Sequence, residues 1–280
     1  MRKMTWLLAS VLSVLSVQAE DACQTQAPCY TADSIVNAAS FLKDSLAPNT
    51  LVAIFGSNLS YSTRAVTTED VLGGRLPIQL AGVTVRIGGV LAPLYYVSAG
   101  QINALIPNNL FPAPQNVQVV RDGWAGPLVR IELSDVAPSL FVMDRATAVA
   151  SRADFIDNPT AVASHEDFSV VTRDSPARPG SYLILWANGL GRVSPPLSSY
   201  ADLPALIAWI ERLAEFRVLF DGVPVDPERI SYAGVAPSLA GVYQINIMLP
   251  ESVGNDPEVR IAVGDNFSPP SVHVPLRPGN

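Results

Sequence analysis

The sequence predicts an all-β fold built from two tandem β-sandwich units, and three observations predict it. First, the chain repeats itself: Gln101-Ile102-Asn103-Ala104-Leu105-Ile106-Pro107 returns as Gln244-Ile245-Asn246-Ile247-Met248-Leu249-Pro250. Upstream of each copy a second pair matches, Ala47-Pro48 through Leu51–Phe55 to Leu59 against Ala177-Arg178-Pro179-Gly180 through Tyr182–Trp186 to Leu190. Two matched pairs in one order imply a duplicated structural unit. Second, short runs of strand-forming residues recur between turn signals, the pattern of a sandwich. Third, 24 Pro and 18 Gly in 280 residues favour many short elements over long helices. Hydrophobic residues at 49% against 15% charged exclude general disorder.

The order of segments follows. Arg2 and Lys3, the apolar run Trp6–Val17 and the small residues Val17-Gln18-Ala19 predict a signal peptide over 1–19, cleaved after Ala19, and an exported product, periplasmic, surface-bound or extracellular. No later stretch has the roughly 20 apolar residues of a membrane helix, so no membrane insertion is expected once the signal is removed. Residues 20–33 read as an N-terminal tail carrying both cysteines, Cys23 and Cys29. In an oxidising compartment a disulfide between them is the favoured reading, contributing about 2 kcal/mol on the loop-entropy model. A metal site there is the weaker one, because no histidine lies nearby. Cleavage removes two of the 18 basic residues and none of the 25 acidic ones, taking the net charge from −7 to −9. Such a charge disfavours nucleic acid and anionic membranes as partners.

The first unit is placed at 34–143. Leu51–Phe55 is an apolar strand, and Val83–Ile87 alternates with period two. Gly88-Gly89 turns the chain into Leu94–Val97 and Gln101–Ile106. Asn116–Arg121 and Leu128–Leu133 follow around Asp122-Gly123, a strong hairpin signal. A connector at 144–176 holds Asp154, Asp157, Asn158, Glu166 and Asp167; it reads as a solvated linker with a possible hairpin (146–150, 168–172). It lacks the ligand spacing of a calcium loop. The second unit, 177–280, repeats the scheme with Tyr182–Trp186, Phe216–Phe220, the Asp221-Gly222 turn, Arg229–Tyr232, Val242–Leu249, Glu258–Val263 and Ser271–Leu276. Leu203, Leu206, Ile210 and Leu213 recur at helical spacing after Asp202, a candidate N-cap, and predict one short helix over 203–214.

Several strings resemble a known family: Ser34-Ile35-Val36-Asn37-Ala38-Ala39-Ser40-Phe41, Leu46-Ala47-Pro48, Ile54-Phe55-Gly56-Ser57-Asn58-Leu59 and Gly82-Val83-Thr84-Val85. Ala92-Pro93-Leu94-Tyr95-Tyr96-Val97-Ser98, Val136-Ala137-Pro138-Ser139-Leu140-Phe141, Pro176-Ala177-Arg178-Pro179-Gly180, Asn188-Gly189-Leu190-Gly191 and Tyr243-Gln244-Ile245-Asn246 continue the series. Over about residues 33–276 the chain resembles the uncharacterised C-terminal-domain family of Solibacter-type exported acidobacterial proteins. The resemblance implies two units similar to the IPT/TIG branch of immunoglobulin-like sandwiches, and it brings no catalytic residues with it. The 203–213 stretch departs from the family, which has a small-residue loop there.

Candidate chemistry is sparse. His165 and His273 are the only histidines, and no Gly-x-Ser-x-Gly elbow, phosphate loop or dinucleotide fingerprint occurs. No catalytic residue, metal ligand or cofactor is assigned. Gly189-Leu190-Gly191 reads as a turn needing positive φ. On a strand Gln101 and Asn103 share one face, as do Gln244 and Asn246, while Ile102 and Ile245 point the other way. These four amides either bind a glycan or peptide or, as the favoured reading, pin neighbouring loops or the contact between units. Trp124, just after the Asp122-Gly123 turn, is the best single candidate for a contact residue, with folding back onto its own sheet the favoured reading; Phe55 and Trp186, at equivalent strand positions, read as core. The function expected is a non-catalytic binding, adhesion or assembly module whose partner is a protein or polysaccharide. The alternatives are an extracellular glycan hydrolase using a carboxylate pair, and a structural subunit or homo-oligomer pairing through sheet edges.

Overall fold

A computed structural model describes residues 26–43, 45–143, 159–197 and 199–277. The predicted signal peptide, Cys23 and the proposed connector hairpin strand 146–150 lie outside the described residues, as do Asp154, Asp157 and Asn158. The strands of the first half are β1 (Ile35–Asn37), β2 (Leu51–Phe55), β3 (Arg64–Ala65), β4 (Val83–Ile87), β5 (Val90–Leu91), β6 (Leu94–Val97), β7 (Gln101–Leu105), β8 (Pro114–Arg121), β9 (Trp124–Ala125) and β10 (Val129–Glu132). Those of the second are β11 (Ser139–Leu140), β12 (Ala163–Ser164), β13 (Tyr182–Asn188), β14 (Val193–Ser194), β15 (Ala208–Ile210), β16 (Phe216–Phe220), β17 (Val223–Pro224), β18 (Ile230–Val235), β19 (Tyr243–Met248), β20 (Val259–Val263) and β21 (Asn266–Phe267).

Each half is a β-sandwich of two antiparallel sheets. In the first, β1-β2-β7-β6-β3 faces β10-β8-β4-β5, with β9 paired to β8. In the second, β11-β13-β19-β18-β15-β14, with β12 beside β13, faces β17-β16-β20-β21. The repeat is therefore topological: β2, β4, β5, β6, β7, β8 and β9 correspond in order to β13, β16, β17, β18, β19, β20 and β21. Even the irregularity repeats, since a register shift falls between Leu94 and Tyr96 and again between Ile230 and Tyr232. Inward positions alternate as period-two packing requires: Val83, Val85 and Ile87 are fully buried, and so are Tyr243, Ile245 and Ile247. Asp122-Gly123 and Asp221-Gly222 both turn through positive φ, the hairpin geometry their sequences call for.

Four expectations need correction. The 203–214 helix does not form. Ala208–Ile210 is a strand between β18 and β14, and only Leu213–Glu215 coils, as one 3-10 turn. Pro204 lacks an N–H and fixes its φ, the Leu203 N–H is taken by Gly74 O at 2.8 Å, and Leu206 and Ile207 stand exposed. The candidate cap Asp202 instead accepts from Arg75 Nε (3.0 Å) and the Ser199 N–H (2.7 Å). Ser271–Leu276 makes only isolated bridges, at His273 and Leu276, because Pro269, Pro270 and Pro275 withhold ladder donors. The described part of the connector is solvated only in part: 166–170 and 173–175 are exposed, but Ala161, Ala163 and Val171 are fully buried in the second core and β12 pairs with β13, leaving Phe168–Thr172 a single bridge, Ser164 to Val170. Ser139–Leu140 and Val136 likewise serve the second core.

The described part of the N-terminal tail packs on the first sandwich. Cys29, which is disulfide-bonded, exchanges both backbone hydrogen bonds with Ser57 at 2.9 Å. The Tyr30 hydroxyl donates to Pro127 O (2.6 Å) and accepts from the Val119 N–H (2.8 Å). The buried Arg121 guanidinium binds Asn58 O (2.5 Å), Gln26 O and the Tyr61 hydroxyl (2.9 Å).

The two cores meet through a third, small cluster. Leu76, Leu105 and Ala240 are buried there, with Leu51, Tyr95 and Leu203 around them. A polar joint surrounds it. The Asn188 carboxamide bonds the backbone of Leu51 in both directions (3.0 and 2.9 Å) and Asn37 Oδ1 (2.9 Å). Asn49 Nδ2 donates to the Tyr243 hydroxyl at 2.8 Å, and the Tyr95 hydroxyl donates to Ala240 O at 2.8 Å. Burial pushes both phenols well above their ordinary pKa. Gly189 and Gly191 adopt positive φ, as the turn reading requires, and a Cβ on Gly189 would lie 2.1 Å from Ala137 O.

Candidate functional site: two amide pairs on the outer sheet faces

Residues directly opposite in an antiparallel pair share a face. On β19, Gln244 lies opposite Trp186 of β13, and Asn246 lies between Ile184 of β13 and Tyr232 of β18. On β7, Gln101 lies opposite Phe55 of β2, and Asn103 lies between Ala53 of β2 and Tyr96 of β6. The same arrangement is thus written twice: an amide pair on the central strand, an aromatic beside the Gln, and a tyrosine beside the Asn. In each pair the glutamine Nε2 donates to the asparagine Oδ1, at 2.8 Å for Gln101–Asn103 and 2.9 Å for Gln244–Asn246.

All four amides are half-buried on the face away from the core. Among the described residues their side chains bond no loop and do not touch the unit–unit joint, where Asn37, Asn49, Asn188 and Tyr243 serve instead. The expectation that the pairs hold the units together is corrected accordingly. A same-strand partner two residues away satisfies them first, and each pair keeps one carboxamide oxygen and one NH2 group with no protein partner among the described residues. Phe55 and Trp186 are likewise not core; both are half-buried on the outer faces. Trp186 Nε1 donates to Ser164 Oγ (3.0 Å), which fixes its ring, and Phe55 has Phe41 at a centroid distance of 6.3 Å.

The second unit adds depth. Gln244 and Asn246 floor a hollow of about 190 Å³ walled by Tyr182, Ile184, Ser231, Glu166 and Phe168. Phe168 is 61% exposed and sits at φ 64°, a conformation that costs a non-glycine residue of order 1 kcal/mol. Its turn is held by Asp167, whose carboxylate accepts from the Ser169 N–H (2.9 Å) and hydroxyl (2.6 Å). Those hydrogen bonds lower the Asp167 pKa. Behind Asn246, Tyr232 carries Trp209 edge-on at 4.9 Å.

Trp124 stands 51% exposed at the tip of the β8–β9 hairpin, as its place after the turn suggests. That hairpin belongs to the sheet opposite the one bearing Gln101 and Asn103, so the fold does not bring Trp124 to either amide pair. His165 Nε2 bonds Ser175 O and lies 3.3 Å from the Ser175 hydroxyl, and His273 bonds the backbone Asp256 O.

No protein-family model and no curated protein matches the chain. Among solved structures it is similar to SGBP-B of a Bacteroides ovatus mixed-linkage glucan utilization locus, in complex with a mixed-linkage heptasaccharide (TM-score 0.33, 10% identity, 84% of this chain and 43% of that one). It is also similar to SGBP-B of a Bacteroides uniformis xyloglucan utilization locus (TM-score 0.25, 11% identity, 89% and 48%), and to the tandem Ig repeats of Dlar (TM-score 0.20, 8% identity, 90% and 95%). The chain spans under half the length of the first two. Likenesses this weak carry nothing about ligand or activity. Among the described residues, no helix is long and apolar enough to cross a membrane.

Tyr182, Phe168 and Trp209 escaped the sequence reading because nothing local marks them. Tyr182 and Trp186 stand in an unbroken apolar run, which hides its alternation, and Phe168 sits in a polar connector.

Proposed function

We propose that this chain is an exported, non-catalytic binding module that recognises a neutral polysaccharide through the outer face of its second sandwich. The observation that carries this is the paired Gln244–Asn246 carboxamides at 2.9 Å, flooring a hollow with Trp186 beside Gln244 and Tyr182 and Phe168 on its wall. A pyranose presents apolar C–H faces and a rim of hydroxyls. Aromatic rings suit the first, and amides, which donate and accept at once, suit the second. The strained, exposed Phe168 supports a contact role. A hydrolase needs a carboxyl held above its ordinary pKa to act as general acid. Among the described residues, the carboxyls with marked shifts, Asp70, Asp167 and Glu215, all move down, each through hydrogen bonds within its own turn or to Arg212. Membership of the Solibacter-type family and a cell-surface or extracellular location belong to the same proposal.

Affinity electrophoresis of the mature protein in gels containing mixed-linkage glucan, xyloglucan or galactomannan tests it. Retardation in one gel, lost in Trp186→Ala and in Gln244→Ala/Asn246→Ala with melting temperature unchanged, is expected. No retardation in any gel, or release of reducing ends from the polymer, would sink it.

A further inference from the structure

We infer that the first sandwich carries a second site of the same kind, so that one chain grips a repeating polymer at two fixed points. This rests on the binding reading above and extends it to valency and ligand length. The first face repeats the second at the level of register: Phe55 opposite Gln101, Tyr96 opposite Asn103, and the amides joined at 2.8 Å. Gln101, Asn103, Phe55 and Tyr96 are all half-exposed, and Phe41 extends the aromatic surface beside Phe55. A core does not need this pattern. The buried face of β7, Ile102 and Ala104, already seals the sandwich, so the outer amide–aromatic set contributes little to packing.

The first face is also the shallower. Leu51 stands where the second unit has Tyr182, and it is used in the joint. A single sugar unit therefore binds it more weakly.

The joint makes the pair useful. Leu51 and Asn188 are hydrogen-bonded to each other, Phe55 lies four residues along β2 from Leu51, and Trp186 lies two residues along β13 from Asn188. At about 3.3 Å per residue plus the contact itself, the two aromatics are no more than roughly 25 Å apart. The contact is polar and buried, formed by Asn188 with Leu51 and Asn37, Asn49 with Tyr243, and Tyr95 with Ala240, so no flexible linker separates the faces. A polymer held at one face presents its next units to the other at high effective concentration, whereas a short oligosaccharide cannot span both. The ligand class is a neutral repeating polysaccharide, not a free monosaccharide.

The test uses the mature full-length chain and three variants: Gln101→Ala/Asn103→Ala, Gln244→Ala/Asn246→Ala, and all four changes together. Each is titrated with soluble mixed-linkage glucan and xyloglucan and with trisaccharides cut from their backbones; melting temperatures check folding, and Gln101→Glu is a gentler substitute. Expected are two trisaccharide sites in the parent and one in each double variant. Polymer affinity should fall about tenfold or more in each double variant and vanish in the quadruple one. A parent with one trisaccharide site, whose polymer affinity is unmoved by Gln101→Ala/Asn103→Ala but lost with Gln244→Ala/Asn246→Ala, overturns the second site and leaves the first reading standing. Polymer binding unmoved by any variant overturns both.

Discussion

The Asn188 side chain treats Leu51 as a strand neighbour: its Oδ1 accepts from the Leu51 N–H at 3.0 Å while its Nδ2 donates to the Leu51 carbonyl at 2.9 Å. One carboxamide from the second unit thus closes both backbone groups at the start of β2 in the first, and its remaining proton reaches Asn37 Oδ1. Asn188 is fully buried, so nothing else can replace it. Asn188→Ala leaves the Leu51 N–H unpaired, at about 1–3 kcal/mol, while Leu51 O keeps the Ala38 N–H at 2.9 Å. The melting temperature should drop by several degrees, and calorimetry should show the single transition of the parent broadening or splitting as the units uncouple. A sharp single transition at the parent temperature would show the joint to be unimportant.

Arg121 is the one fully buried arginine among the described residues, at 2% exposure, and it is spent on carbonyls and a tyrosine that close the N-terminal segment over the first sandwich. Tyr61 lies against it with the guanidinium 3.7 Å from the ring centroid. Arg121→Met keeps the stem and removes the fork. Asn58 O and Gln26 O then lose their charged donor, and stability should fall by roughly 2–4 kcal/mol. Hydrogen exchange near residues 26–30 should quicken more than in β16 or β20. Uniform acceleration across both units would argue against a local strap.

Much of this architecture could be read from sequence because the strands and turns are local. Asp122-Gly123 and Asp221-Gly222 have one comfortable hairpin geometry, and the alternation Val83-Thr84-Val85-Arg86-Ile87 shows which side is wet. The repeated Gln-Ile-Asn marks equivalent strands, and the structure confirms the equivalence down to the shared register shift. What stayed hidden depends on the opposite side of a sheet or on the other unit. Leu203, Leu206, Ile210 and Leu213 have helical spacing, but Pro204 and the demand of β18 for an edge partner override it. Tyr182–Trp186 is apolar on both faces, so period-two reasoning cannot tell the inward Leu183 and Leu185 from the outward Tyr182 and Trp186. Asn49, Asn188 and Tyr243 look like ordinary turn or strand residues until the second sandwich is set against the first.

Asp167 organises the turn that lifts Phe168 to the rim of the hollow. Its carboxylate is exposed, so removing it should barely move the melting temperature. Asp167→Ala should instead weaken polysaccharide binding several-fold by releasing the left-handed turn at Phe168, and Phe168→Ala should match it. Because the folded pKa is depressed, the hold is complete above the ordinary carboxylate range and lost as pH falls through the lower folded value. Binding should therefore stay level from pH 8 to pH 5 and decline only in stronger acid. Full binding by Asp167→Ala would remove the turn from the site.

Tyr30 gives a prediction at the other end of the scale. Its phenol is buried between the strap and β8 and donates to Pro127 O, so burial pushes its pKa up to about 12. The charged form is the one the fold disfavours. Below pH 10 both folded and unfolded chains keep the proton, and the contribution to stability is whole. Between pH 10 and about 12 the unfolded chain gives up its proton while the folded chain holds it, so stability falls as pH rises, by up to about 1.4 kcal/mol per pH unit. Tyr95 and Tyr243, also raised by burial, add to the same decline at the joint. Tyr30→Phe should be less stable than the parent at pH 8, because the Val119 N–H and Pro127 O lose their partner. It should also lose stability more gradually above pH 10, so the gap between the two narrows in urea melts run from pH 9 to pH 12. Parallel declines over that range would mean that the Tyr30 proton is not linked to folding.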